Sequence, residues 1–222
     1  MKQFYIIFSN EKVSTMSTQL TWSHYTELLP IKDYNKLCYY LCVCIDQRID
    51  VRTLRNKIKS NEYERLPIET KSKIINSESL NVKDLVPNPI LIKNKNNIDI
   101  INEKALHNLI LEDIESFMKE LGNSYCFIGS EYKIKIGDRY NYIDLLLFNI
   151  EFNCYVVIEL KICELRKEHI GQIEVYMNYI DNNLRKNIHD KTIGIIICKK
   201  NNKYIIEYCS DKRIISREYE LV

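Results

Sequence analysis

Two apolar segments, each interrupted by charge, set the terms for this chain. They are Asn141-Tyr-Ile-Asp-Leu-Leu-Leu-Phe148 and Cys154-Tyr-Val-Val-Ile-Glu-Leu-Lys161. Both are rich in β-branched, aromatic and aliphatic residues, so both read as strands. Charged groups are rarely buried unless they are paired or bound to a metal. Yet Asp144 sits between Ile143 and Leu145, and Glu159 and Lys161 close an otherwise apolar run. A divalent cation is the most economical partner for that set.

Strand geometry sharpens the expectation. Side chains alternate, so Glu159 and Lys161 share one face. A tight hairpin turning near Glu151 and Phe152 sets Asp144 opposite Glu159, about 5 Å apart. Two carboxylates that close repel, and one pKa must rise unless a cation lies between them. Magnesium accepts one or two protein carboxylates and keeps several waters. Such an ion activates water and stabilises charge on a phosphoryl group. Lys161, beside Glu159, could orient that water or neutralise the phosphate. Taken alone, Glu159-Leu-Lys161 is more often a solvated salt pair at a strand end. Asp144 and the order of the surrounding elements shift the balance.

At 222 residues, 45% hydrophobic and 28% charged, the chain suits one or two small globular domains. A net charge of +2 carries no argument for nucleic acid, which must rest on local clusters. The eight cysteines contain no Cys-X-X-Cys pair, and the four histidines lack zinc-type spacing to them. They read as small buried hydrophobes in a reducing compartment. The apolar run in Met1 to Phe8 is too short for a signal peptide or a span, so a cytoplasmic protein with no membrane association is expected.

Residues 1–19 are expected to be weakly structured, and residues 20–85 to form a helical domain. Leu37, Tyr40, Leu41, Cys44 and Ile45 recur at helical spacing, and Asp50 is a plausible N-cap for a helix with Val51, Leu54 and Ile58. Between Arg48 and Lys73 lie eight basic and four acidic residues. Arg52, Arg55, Lys57 and Lys59 are its candidate phosphate contacts, although by charge alone a solvated helix face is the better reading. Leu85-Val-Pro-Asn-Pro-Ile and the polar run after it mark a linker at 86–98.

Residues 99–222 read as a helix, three strands, a helix and further strands. The first helix covers 102–121, with Leu106, Ile110, Phe117 and Leu121 on one stripe and Glu103 at its start. Glu103 serves equally as a third acidic group of the site or as a first-turn partner of the helix dipole. Strands are expected at 125–129, 131–137, 141–148 and 154–161, the first two as one bent strand if Gly129 is a kink. A helix spans 169–186, with Gln172 and Tyr176 four apart on one face. A buried strand at 192–198, a strand at 204–208 and an edge strand at 218–221 complete the set.

In that order the elements resemble the PD-(D/E)XK nuclease superfamily, and within it the YhcG-type nucleases. The resemblance rests on Phe117-Met-Lys-Glu-Leu-Gly122, Tyr125-Cys-Phe-Ile-Gly129, the two charged strands, Gly171-Gln172 and Thr192-Ile-Gly-Ile-Ile-Ile-Cys-Lys199. Ile143 stands where the superfamily signature has proline. Leu20-Thr-Trp-Ser-His-Tyr-Thr-Glu-Leu-Leu29 and Val51-Arg-Thr-Leu-Arg-Asn-Lys-Ile58 resemble that family's helical N-terminal domain, here in a shortened form. The resemblance implies an α/β fold, a restriction-endonuclease-like mixed sheet core ordered αβββαβ, preceded by a small all-α domain. It implies Mg2+ or Mn2+ bound by Asp144 and Glu159, attack assisted by Lys161, support from Glu103, and Gln172 and Tyr176 as an auxiliary motif. DNA is the implied partner, with a homo-oligomer left open. The rival class is a DNA-binding or assembly protein that keeps the nuclease fold without its activity.

Overall fold

In the computed structural model, residues 20–222 are described except 47, 76, 77, 79, 80, 96, 101 and 123. The expectation for residues 1–19 lies outside the described residues. The chain divides into two compact units, residues 1–80 and 81–222.

The first unit is helical: α1 (Trp22–Leu28), α2 (Tyr34–Asp46), α3 (Val51–Lys59), α4 (Glu62–Arg65) and α5 (Ile68–Ile75). Asp50 caps α3 as expected, accepting a hydrogen bond from the Thr53 N–H. Leu28, Tyr40 and Leu54 are wholly buried in one cluster, each such side chain contributing roughly 1.5–3 kcal/mol. Among the described residues no helix is long and apolar enough to cross a membrane.

The second unit comprises α6 (Val82–Leu85), β1 (Ile90–Ile92), α7 (Glu103–Glu112), α8 (Ile114–Leu121), β2 (Tyr125–Ile136), β3 (Arg139–Asn149) and β4 (Cys154–Glu164). It continues with α9 (Lys167–Asn183), β5 (Asp190–Lys200), α10 (Lys203–Glu207) and β6 (Ile214–Leu221). The strands form one mixed sheet in the order β1-β6-β5-β4-β3-β2. β2, β3 and β4 run antiparallel, while β4, β5, β6 and β1 run parallel.

Alternation along the strands divides the core. Leu145, Leu147, Val156, Ile158 and Leu160 pack with Leu106, Ile110, Phe117 and Leu121 of α7 and α8. Leu146, Val157 and Ile196 pack with Ile173, Tyr176, Met177 and Ile180 of α9. A sheet covered on both faces explains why β4 and β5 are almost unbroken apolar runs. Gly194 lets α9 approach closely: a Cβ there would lie 2.5 Å from Met177 Sδ and 2.9 Å from Ile173 Cδ1.

Several expectations need correcting. Residues 86–98 are not a free linker. Val86, Ile90 and Ile92 are core residues, β1 pairs with β6, and the Arg217 guanidinium donates to the carbonyls of Val86 and Lys83 at 3.0 and 2.9 Å. β6 is therefore not the edge strand; β1 is. Prolines obscured a strand that forms only because β6 offers an open edge. The helix expected over 102–121 breaks at Asp113, whose side chain caps α8 by accepting from the Ser116 N–H. The strand expected at 204–208 is the short helix α10: the place beside β5 is taken by β6, and Tyr204 and Tyr208 are exposed. Residues 125–136 form one strand with a register shift between Phe127 and Gly129. All eight cysteines are free; Cys44, Cys154, Cys198 and Cys209 are buried, but Cys126 is exposed.

Candidate active site

The site forms where two strands part. The β3–β4 ladder runs from Asn149↔Cys154 to Leu145↔Ile158 and stops. Beyond that rung β3 stays paired with β2 as far as Arg139↔Ile136, and β4 stays paired with β5 as far as Glu164↔Lys200. The next rung would match Asp144 with Glu159. Their side chains take over instead: the Leu160 N–H donates to Asp144 Oδ2 at 2.7 Å, and the Asp144 N–H lies 3.5 Å from Glu159 Oε1.

Lys161 completes the cluster. Its Nζ lies 3.4 Å from Glu159 Oε2 and 3.4 Å from Glu103 Oε2 at the first turn of α7. Glu159 and Lys161 are both buried, whereas the Glu103 side chain is 46% exposed. On α9, Gln172 Nε2 donates to the Tyr176 hydroxyl at 3.2 Å.

Electrostatics follow from burial and crowding. Burial raises the Asp144 pKa, against the Leu160 N–H and the Lys161 charge, which lower it. Burial and then repulsion from Asp144 push Glu159 up to about 8. Burial opposes the charge on Lys161, but Glu159, Glu103 and Asp144 outweigh it and hold the ammonium above its usual range. Burial raises Tyr176 against the Gln172 bond, and the Glu159 and Asp144 carboxylates raise it further.

Two histidines escaped the sequence reading. His107 Nε2 lies 3.1 Å from the Asp144 carbonyl. A carbonyl only accepts, so that nitrogen carries the hydrogen. His107 follows Glu103 by four residues, which was the signal available. His169 of α9 is held below its usual pKa by burial and then by the Lys161 charge; its Nδ1 accepts from the Arg166 N–H at 3.2 Å.

Three carboxylates, Asp144, Glu159 and Glu103, face one ammonium. With all three ionised the cluster carries a net charge of −2, and its hard oxygen donors suit a divalent cation with a partial water shell. Among the described residues no group of three or more His, Cys, Asp or Glu side chains is arranged to hold a metal ion.

The basic residues expected on α3 do not act together. Lys57 is buried and bound to Glu62 at 2.8 Å, so it is withdrawn as a phosphate contact: the helix phase that buries Leu54 turns Lys57 inward with it. Arg55 is paired with Glu27 at 2.7 Å. Arg52 and Lys59 are exposed.

Known proteins match both units. The family model for the YhcG PDDEXK nuclease domain matches residues 84–222, and that for the DUF1016 N-terminal domain matches residues 1–65. A curated relative from Escherichia coli (strain K12), named "Putative nuclease YhcG", is 24% identical over 194 residues, or 85% of this chain and 52% of its own length. The chain thus spans about half the length of the curated relative it matches. Two solved structures show weaker likeness. A repair endonuclease from Pyrococcus abyssi is 16% identical over 56% of this chain and 49% of its own, at a TM-score of 0.37. An EndoMS–dsDNA complex is 17% identical over 58% of this chain and 48% of its own, at a TM-score of 0.38.

Proposed function

This chain belongs to the YhcG PDDEXK nuclease family, and from that premise we propose that it hydrolyses DNA phosphodiester bonds with Mg2+ or Mn2+ held by Asp144 and Glu159. The observation that carries the reading is that Glu103 and Glu159 both meet Lys161, with Asp144 beside Glu159, where the β3–β4 ladder ends. When bound, the cation supplies charge neutralisation at the phosphate and a water of lowered pKa.

The chain's own residues do the rest. The Leu160 N–H fixes the orientation of the Asp144 carboxylate. Glu103 and Glu159 keep the Lys161 ammonium charged and stationary between them, where it steadies the attacking water and offsets charge gathering on the phosphate. Gln172 donates to the Tyr176 hydroxyl and fixes it on α9. In the helical unit, Arg52 and Lys59 supply phosphate contacts on the exposed side of α3.

Incubating the purified protein with supercoiled circular and linear DNA tests this, using Mg2+, Mn2+ or chelator. Cleavage is expected only with a divalent ion, and Asp144→Ala and Lys161→Ala should each abolish it. Cutting in chelator, or undiminished cutting by both variants, would overturn the assignment. The circular substrate separates nicking and linearisation from digestion at ends.

A further inference from the structure

The half of the β2–β3 hairpin that extends beyond the site is two-sided. Its inner side places Tyr132, Ile134 and Ile143 in the cluster built around α9, with Ile134 and Ile143 fully buried. Its outer side presents two cross-strand pairs, Lys133 opposite Tyr142 and Lys135 opposite Tyr140. Opposed and alternate residues share a face, so these four form one patch. Tyr140 and Tyr142 are 56% and 52% exposed, and both lysines are exposed. Lys133 Nζ sits 3.9 Å from the Tyr140 ring centroid, with Lys135 Nζ 6.0 Å away. The hairpin's acidic groups, Glu131 and Asp138, lie at its base and its turn.

We propose that this face is a stacking platform for a single-stranded segment of DNA, which it leads to Asp144 two residues further along β3. Two exposed rings, that of Tyr140 with the Lys133 ammonium over one face, match a polyanion whose planar bases are unstacked. Base–aromatic stacking is indifferent to sequence, because every base has a π-face. A duplex offers the lysines phosphates but offers the tyrosines no base faces. The packed inner side holds the platform in place, so little order is lost on binding. Continuity with the site comes from the chain itself: the strand that carries Tyr140 and Tyr142 is the strand that carries Asp144. The inference rests on the nuclease reading and narrows it to DNA with unpaired bases beside the scissile bond.

Binding of a fluorescent oligo(dT) and of a duplex of equal length is measured by anisotropy with the full chain in chelator. Cleavage of both is measured separately with Mg2+ or Mn2+. The wild type should prefer the single strand. Tyr140→Ala with Tyr142→Ala should weaken oligo(dT) binding by about tenfold or more per ring lost and leave duplex binding little changed. Tyr140→Phe with Tyr142→Phe keeps both ring faces and should bind like the wild type, which separates stacking from misfolding. Lys133→Ala with Lys135→Ala should lower the slope of log affinity against log salt by about 1.4, at roughly 0.7 per phosphate contact. Equal affinity for strand and duplex, or oligo(dT) binding unaffected by removal of both rings, overturns the platform even if the wild type cuts DNA. Ring-dependent oligo(dT) binding without cleavage under either ion upholds the platform and removes the nuclease reading instead.

Discussion

The Leu160 N–H donates a 2.7 Å hydrogen bond to Asp144 Oδ2, in the place where the next backbone rung between β3 and β4 would lie. A side chain therefore closes the ladder that the backbone abandons. That contact gives Asp144 a structural task alongside its proposed role at a cation, and the two can be separated.

Asp144→Asn keeps an oxygen to accept from Leu160 and removes the charge that burial disfavours. The variant should be at least as stable as the wild type, while metal-dependent cleavage falls by about 10²-fold or more. Asp144→Ala should lose activity and also stability, by about 1–3 kcal/mol for the buried donor left unpaired. Thermal melting and a cleavage assay on the same preparations distinguish the two. Equal stability loss in both variants would refute the hydrogen-bond account.

His107 holds the backbone of the same residue through its 3.1 Å contact with the Asp144 carbonyl. His107→Ala should cost about 1 kcal/mol or more for the partly buried carbonyl left without its donor, read from the urea midpoint. His107→Gln carries a donor of similar reach and should recover part of the loss.

Asp181 predicts an acid limb in stability. Burial opposes its charge, but the Thr192 N–H and hydroxyl and the Arg213 guanidinium outweigh that and lower its pKa. A depressed carboxylate contributes stability in full above its unfolded pKa of about 3.9 and loses it as pH falls through the lower folded value. Asp181→Asn should therefore be destabilised by about 1–3 kcal/mol at pH 7, with a shallower fall in Tm between about pH 5 and pH 2. Parallel Tm-against-pH curves for the two proteins would contradict this.

Gly194 is set by space, not by backbone angle. Gly194→Ala should cost about 1–3 kcal/mol through overpacking against Met177 and Ile173. Adding Met177→Ala, which costs stability alone, should be less harmful in the Gly194→Ala background. A double-mutant cycle on urea midpoints measures that coupling, and strict additivity would count against it.

The site was legible because its parts sit on strongly patterned elements. Period-two alternation put Glu159 and Lys161 on one face, and the short turn after Asn149 put Asp144 beside them. What the sequence concealed depended on partners distant along the chain. Lys57 reads as surface charge until the phase of α3 is known, and its Glu62 bond shows only in space. β1 is three residues long and preceded by two prolines, so nothing local marks it; β6, more than a hundred residues later, makes it a strand. His107 bonds a carbonyl on another element; its spacing from Glu103 sets it one turn along the same helix but does not report that bond.

The seam formed by β1, β6 and the Arg217 guanidinium decides where the second unit can be cut from the chain. A fragment beginning at residue 99 would strip β1 from β6 and leave the amides and carbonyls of Tyr219–Leu221 open to self-association. One beginning at Asn81 keeps these residues paired and leaves only the three-residue strand β1 at the edge. The earlier cut, which looks wasteful by composition, is the one that should stay monodisperse at high concentration.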